Sequence, residues 1–372
     1  MPSPANMKKR RFDYLFLFSV AALLAIGSLM IFSTSPTLGI KLGDTYYFVK
    51  RHLLYLMLGI TALYYGFRLD LENLKSKANL VFIISLFLLL IIYIPGVGRS
   101  ISGAARWIDL GVITFQPSEL MKFSIVLWLS GMLYAMKDKV KDLWRGLLPL
   151  LATVGAVILL IVIQPDLGTA LVLSAISFIL LCAAGAKRAH ILSLAALGFI
   201  GVFLLSITST YRLKRLLAYL DPWKDPQGIG FQIIQSLMAV GSGGLWGLGL
   251  GASRQKYFYL PQQFTDFIFA ILCEELGFIG GVGVAFLFIL FAMRGFKVAL
   301  STPNYFHYLL TVGITFWIAM QALINIMVVI GLIPTTGIPL PFISFGGTST
   351  IINLFAVGIL LNISAKSLVV KS

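Results

Sequence analysis

The 372 residues are 59% hydrophobic and 12% charged, with 29 Lys and Arg against 14 Asp and Glu for a net charge of +15. A chain this apolar cannot fold in water without exposing large greasy areas, which excludes a soluble globule and makes a bilayer the solvent. In a soluble protein such charge would favour nucleic acid; here its placement marks membrane topology instead.

Crossing hydrocarbon takes about 20 apolar residues per helix. Runs of that kind fall near 14–34, 52–67, 79–96, 118–136, 147–163, 167–186, 189–208, 266–293, 305–332 and 342–363, predicting an all-α polytopic protein of about ten transmembrane helices in a single domain over 1–372. The first run is too long for the apolar core of a secretory leader and no small-residue cleavage pattern follows it, so it reads as an uncleaved helix. Seventeen of the 29 cations, from Lys8 to Lys371, fall mostly in short segments on one side. Short loops rich in Lys and Arg stay in the cytoplasm, which predicts a multi-pass protein of the cytoplasmic membrane with both termini inside and removes nucleic acid as a partner. Cys182 and Cys273 lie in separate apolar runs and predict neither a disulfide nor a metal cluster.

Unusual polar groups gather on the outer side. Residues 99–123 read RSISGAARWIDLGVITFQPSELMKF, in which Glu119 and Lys122 are three apart and share a helix face, where they either pair or serve a ligand. Gln164, Pro165 and Asp166 make a very short turn between two apolar runs. The large outer loop, 209–265, begins with YRLKRLLAYL, a short amphipathic helix that sets Arg212, Lys214 and Arg215 near lipid phosphates, either as an interfacial anchor or against an anionic lipid substrate. In GSGGLWGLGLGAS (241–253), Gly247, Gly249 and Ala252 imitate a dinucleotide loop, but with no preceding strand the glycines predict close backbone packing or a re-entrant bend.

Asp266 stands at the start of the next apolar helix, where a carboxylate is either a cap or a functional group. Glu274 and Glu275 follow deeper in the same helix, where ionisable side chains face a cavity or a partner. Adjacent residues point about 100° apart, so at least one of the two should have a structural partner. Near the end, PTTGIPLPFISFGGTST (334–350) mixes Pro, Gly and hydroxyl side chains and predicts another irregular element on the same side.

Taken in order, ARWIDLG, FQPSEL, QPDLGTA, the stretch from DPWKDPQ to KYFYLP, TDFIFAILCEELGF and PTTGIPLPFISFGGTS resemble, over the whole chain, the SEDS family of bacterial membrane glycosyltransferases. That family includes FtsW, RodA and SpoVE, and SRQKYFYLP with the DPW segment is more similar to FtsW or SpoVE than to RodA. The resemblance implies polymerisation of lipid II onto nascent glycan at the outer face of the cytoplasmic membrane, in cell division. Its implied partners are a class B penicillin-binding protein and other division proteins.

It also makes Asp266 the catalytic carboxylate, because an acceptor hydroxyl must lose its proton as it attacks an anomeric carbon. Arg106, Lys122, Arg254 and Lys256 become cations for the lipid diphosphate, with Glu119 and Ser344 as further substrate contacts. An α-linked donor and a β-linked product imply inversion without a covalent intermediate. No metal ligands and no cofactor are assigned, though the diphosphate leaves room for a divalent cation. The family pattern LPExHTDF is broken here by Gln262 and Phe264, so no auxiliary role carries over to them. Two rival readings use the same residues differently: a flippase for lipid-linked precursors, with Glu119, Lys122 and Glu274 lining a polar path, or a non-enzymatic division scaffold.

Overall fold

The computed structural model describes residues 13–370 apart from 41–42, 95, 102–103, 110, 112–113, 209 and 258–259. The cations at 8–11 and Lys371, part of the topology expectation, lie outside the described residues, as do the side chains of Arg99 and Arg212 and part of the SRQKYFYLP motif.

In an apolar solvent each backbone N–H and C=O must be satisfied within its own segment, so the hydrophobic runs close into helices. These are α1 (Tyr14–Gly39), α2 (Tyr47–Arg68), α3 (Leu71–Ser76), α4 (Ala78–Ile91), α5 (Pro117–Met136), α6 (Leu148–Ile163) and α7 (Leu167–Ala183). They continue as α8 (Arg188–Thr208), α9 (Thr210–Leu220), α10 (Phe231–Ser242), α11 (Ile268–Ser301), α12 (Tyr305–Val329) and α13 (Gly347–Val370). Among the described residues, seven helices are long and apolar enough to cross a bilayer. The other three expected spans are occupied by α4 and α7, which are apolar but shorter, and by α2, which carries Lys50, Arg51 and His52 in its first turns and packs along α13. Helix starts follow ordinary capping chemistry: Asp70 accepts from Glu72 N at 3.1 Å, Asp166 from Thr169 N at 3.1 Å and Asn304 from Phe306 N at 2.9 Å.

One hydrophobic cluster draws buried side chains from Phe16 on α1 to Ile363 on α13, with Trp317 of α12 fully enclosed. At the end remote from Asp266, Arg294 Nε donates to Asp13 at 2.9 Å and Asp13 N donates to Ser364 Oγ at 3.3 Å, tying α11 and α13 to the start of α1. α8 is the exception: it is apolar all round and buries none of its side chains, a surface that only lipid accommodates.

Two features interrupt the helical plan. A small antiparallel sheet, unanticipated in an all-helical reading, forms from β1 (Gly98–Ile101), β2 (Ala104–Asp109) and β3 (Thr114–Phe115) in the order β1-β2-β3. These strands are too short for a period-two pattern to stand out in sequence, and they are satisfied by pairing with each other. Thr348 fastens the sheet to the start of α13, accepting from Gln116 N at 3.0 Å and donating to the Thr114 carbonyl at 3.1 Å.

The second interruption is a break in α11 at Gly277, where φ is +71° and ψ −170°. The glycine-rich turn after α10 inserts there: Phe278 N donates to Gly244 O at 2.8 Å, while Leu248 N and Gly249 N donate to the carbonyls of Glu274 and Glu275 at 3.0 and 3.1 Å. A Cβ on Gly277 would lie 2.3 Å from Gly247 N, and one on Gly247 would lie 2.1 Å from the Glu275 carbonyl, so the glycines serve backbone approach. The segment before this turn is helix α10, not the strand a dinucleotide loop needs. The expected outer loop 209–265 is thus largely α9, α10 and a turn docked into α11.

Candidate functional site

Asp266 lies just ahead of α11. Ala270 N bonds to the Phe267 carbonyl and no side chain caps the helix, so Asp266 is not its cap. The preceding turn is built on Gln262, whose φ of +56° lets its carbonyl accept from Thr265 N and Phe267 N, each at 3.2 Å. Gln263 then anchors the turn to α1 by donating to Thr37 Oγ1 at 2.7 Å. The half-buried carboxylate faces Gly337, where a Cβ would come within 3.7 Å of its Oδ2 and φ is +74°.

Three charged side chains from other elements act on this carboxylate through their charge: Arg215 on α9, Asp166 at the start of α7 and Arg106 on β2. Enclosure by protein pushes the Asp266 carboxyl up to about 6; Asp166 adds to the rise, while Arg215, the Thr265 hydroxyl and Arg106 oppose it. Arg106 is held by the Gln-Pro-Asp turn, with Nε donating to the Gln164 carbonyl at 3.2 Å, a further bond to the Pro165 carbonyl, and Asp166 at 3.9 Å. Asp166 is itself buried, accepting from Thr169 Oγ1 at 2.9 Å. Arg215 reaches the Thr335 carbonyl at 3.0 Å and Tyr219, one turn on, reaches that of Leu332 at 3.0 Å.

Asp166 and Arg215 were not among the candidate site residues of the sequence. The sequence groups Arg215 with Arg212 and Lys214 as cations near lipid phosphates, yet Leu217 and Leu220 face outward while Arg215 and Tyr219 share the inward face. The i, i+4 spacing of Arg215 and Tyr219 and the lone Asp166 in a turn between apolar runs were the available signals.

The remaining candidates divide. Ser344 borders the site as a brace: its hydroxyl donates to the Thr265 carbonyl at 2.5 Å and accepts from Leu340 N at 2.7 Å. Glu119 and Lys122 pair at 2.7 Å, 3% and 2% exposed, and Lys122 Nζ also donates to Gln321 Oε1 at 2.8 Å. Lys256 belongs to a different cluster, at the α11 break. Its ammonium donates to Glu275 at 2.9 Å, the Gly251 carbonyl at 2.6 Å and Ser33 Oγ at 3.1 Å, which accounts for its three protons. Arg254 is exposed in that same segment, and its backbone N donates to Glu274 Oε1 at 2.9 Å. Both glutamates therefore have structural partners, Glu274 also taking the Ser253 hydroxyl at 2.5 Å. The three groups of the flippase path, Glu119, Lys122 and Glu274, are each ion-paired or hydrogen-bonded within the protein. Among the described residues, no three or more His, Cys, Asp and Glu side chains are grouped to hold a metal ion.

Residues 14–368 match the family model of FtsW, RodA and SpoVE, described as cell cycle protein. The chain is 44% identical to stage V sporulation protein E of Bacillus subtilis (strain 168), over 97% of this chain and 99% of that one. It is 40% identical to the probable peptidoglycan glycosyltransferase FtsW of Geobacter sp. (strain M18), over 95% and 97%. Among solved structures it superposes on a chain of a peptidoglycan synthase complex in which polymerization and crosslinking are coordinated, with a TM-score of 0.78 and 31% identity over 96% and 98%. It also superposes on the rod shape determining protein RodA of Thermus thermophilus, with a TM-score of 0.70 and 29% identity over 95% and 96%.

Proposed function

The chain belongs to the FtsW, RodA and SpoVE family of cell cycle proteins, and from that premise we propose that it is a peptidoglycan glycosyltransferase of the cytoplasmic membrane, polymerising lipid II into glycan strands for division or sporulation. The observation that carries this reading is the carboxylate of Asp266, held in a half-buried turn beside Gly337 within electrostatic reach of Arg106 and Arg215.

In the proposed reaction the acceptor sugar hydroxyl gives its proton to Asp266 while its oxygen bonds to the anomeric carbon of the donor. The bond from that carbon to the diphosphate oxygen breaks, and its electron pair leaves on the lipid diphosphate. Attack opposite the leaving group inverts the anomeric centre in one displacement. A base with a pKa of about 6 is ionised at neutral pH yet strong enough to take the proton. Arg106 and Arg215 offset the charge that grows on the diphosphate.

The asymmetry of the cations supports cytoplasmic termini and an external Asp266. A class B penicillin-binding protein is the proposed crosslinking partner, in keeping with the coupled synthase complex that the chain resembles. Purified full-length protein given lipid II should make glycan polymer, and Asp266→Asn at equal folded concentration should make none. Polymer from that variant at the unmodified rate would overturn the assignment of the base.

A further inference from the structure

α12 turns two amides toward the backbone that carries Asp266. Gln321 and Asn325 are each 1% exposed and stand one helical turn apart on one face. Asn325 Nδ2 donates to the carbonyl of Asp266 and to that of Ile338, both at 2.7 Å. Two carbonyl partners demand the NH2 group on that side, which settles the orientation of the amide. The Asp266 carbonyl precedes the first carbonyl of the α11 ladder, so the helix does not hold it.

Gln321 does the same for the next residue of the turn: its Nε2 donates to the Pro339 carbonyl at 3.0 Å. Its oxygen is held from behind by Lys122 Nζ at 2.8 Å and Trp317 Nε1 at 3.1 Å. With a cation and an indole on the oxygen, the amide cannot turn over, and only its nitrogen reaches Pro339. Lys122, against Glu119 and 5.5 Å from the centre of the Trp317 ring, is enclosed by protein on every side that its exposure of 2% describes. Gly337, the residue that the carboxylate faces, immediately precedes the stitched carbonyl of Ile338.

We infer that Asn325 and Gln321 are positioning residues that set Asp266 against the Gly337 turn, and that Lys122 acts on the reaction through Gln321 instead of touching the diphosphate. The inference rests on the glycosyltransferase reading above. A displacement of about 1 Å at a reacting group costs on the order of 10²-fold in rate, and the two amides are what prevents one.

The test measures lipid II polymerisation by the full-length protein across substrate concentrations. Asn325→Ala should lower kcat on the order of 10²-fold with KM little changed, and Asn325→Ser, which retains one donor, should return part of the rate. Lys122→Met is made together with Glu119→Gln so that no buried charge is left unpaired. That double variant should also lose kcat with KM kept, and adding Gln321→Leu should slow it no further, because both changes break one chain of contacts. An unchanged kcat in folded Asn325→Ala, a raised KM with kcat intact in the Lys122 variant, or additive losses would each overturn the inference. If Asn325→Ala gives no folded protein, the Lys122 and Gln321 comparison decides alone. Absence of polymer from the unmodified protein would instead refute the function itself.

Discussion

Replacing Asp266 by Asn should abolish polymerisation and, at neutral pH, make the folded protein more stable. The carboxyl titrates ordinarily at 3.8 and at about 6 in the fold, so the folded protein holds this proton more tightly than the unfolded chain. Stability tied to Asp266 is therefore present below pH 3.8 and is lost as pH rises to about 6, staying lost above it. Roughly two pH units at 1.36 kcal/mol each come to about 3 kcal/mol, and the partial exposure of the residue reduces this to about 2 kcal/mol. Thermal unfolding in detergent, followed by intrinsic fluorescence, should show Asp266→Asn melting above the unmodified protein at about pH 7.5, with the gap closing towards pH 4. A variant less stable at neutral pH, or a gap independent of pH, would mean that the carboxylate is a structural contact, and the argument for a strained base would fail.

Arg215→Gln removes the strongest opposition to the rise of the Asp266 pKa, so the acid limb of the rate profile should move to higher pH, and Arg215→Lys should move it less. Lys256→Met strands the Glu275 charge in the α11 break and should cost about 3–5 kcal/mol; adding Glu275→Gln should recover most of the folded yield on size exclusion. Gly277→Ala should give little folded protein because φ is +71° and the new methyl would meet Gly247 N at 2.3 Å, whereas Gly283→Ala, with open space around it, should express normally. Gln227→Cys, exposed in the turn between α9 and α10, should react with a membrane-impermeant thiol reagent in intact cells; reaction only after lysis would reverse the topology.

The membrane architecture was legible because each signal is local. A span declares itself by twenty apolar neighbours, and lysines in short loops declare their side of the bilayer, with no knowledge of what packs on what. Asp266 and Arg106 were legible for a similar reason, since ordered motifs around them carry the family's pattern. The sheet at 98–115 was not, because strands of two to six residues give too little alternation to read.

Charge pairing across the fold was equally hidden. Lys122 and Lys256 look in sequence like cations offered to a diphosphate, but Gln321 is 199 residues from the first and Ser33 is 223 from the second. Arg215 looks like a lipid anchor until α9 is docked on the 331–340 segment. Sequence alone determined that this chain lives in a bilayer and which carboxylate to suspect. Only the tertiary structure decided which charges pair inside the protein, because burial and partnership depend on distances in space that spacing along the chain does not encode.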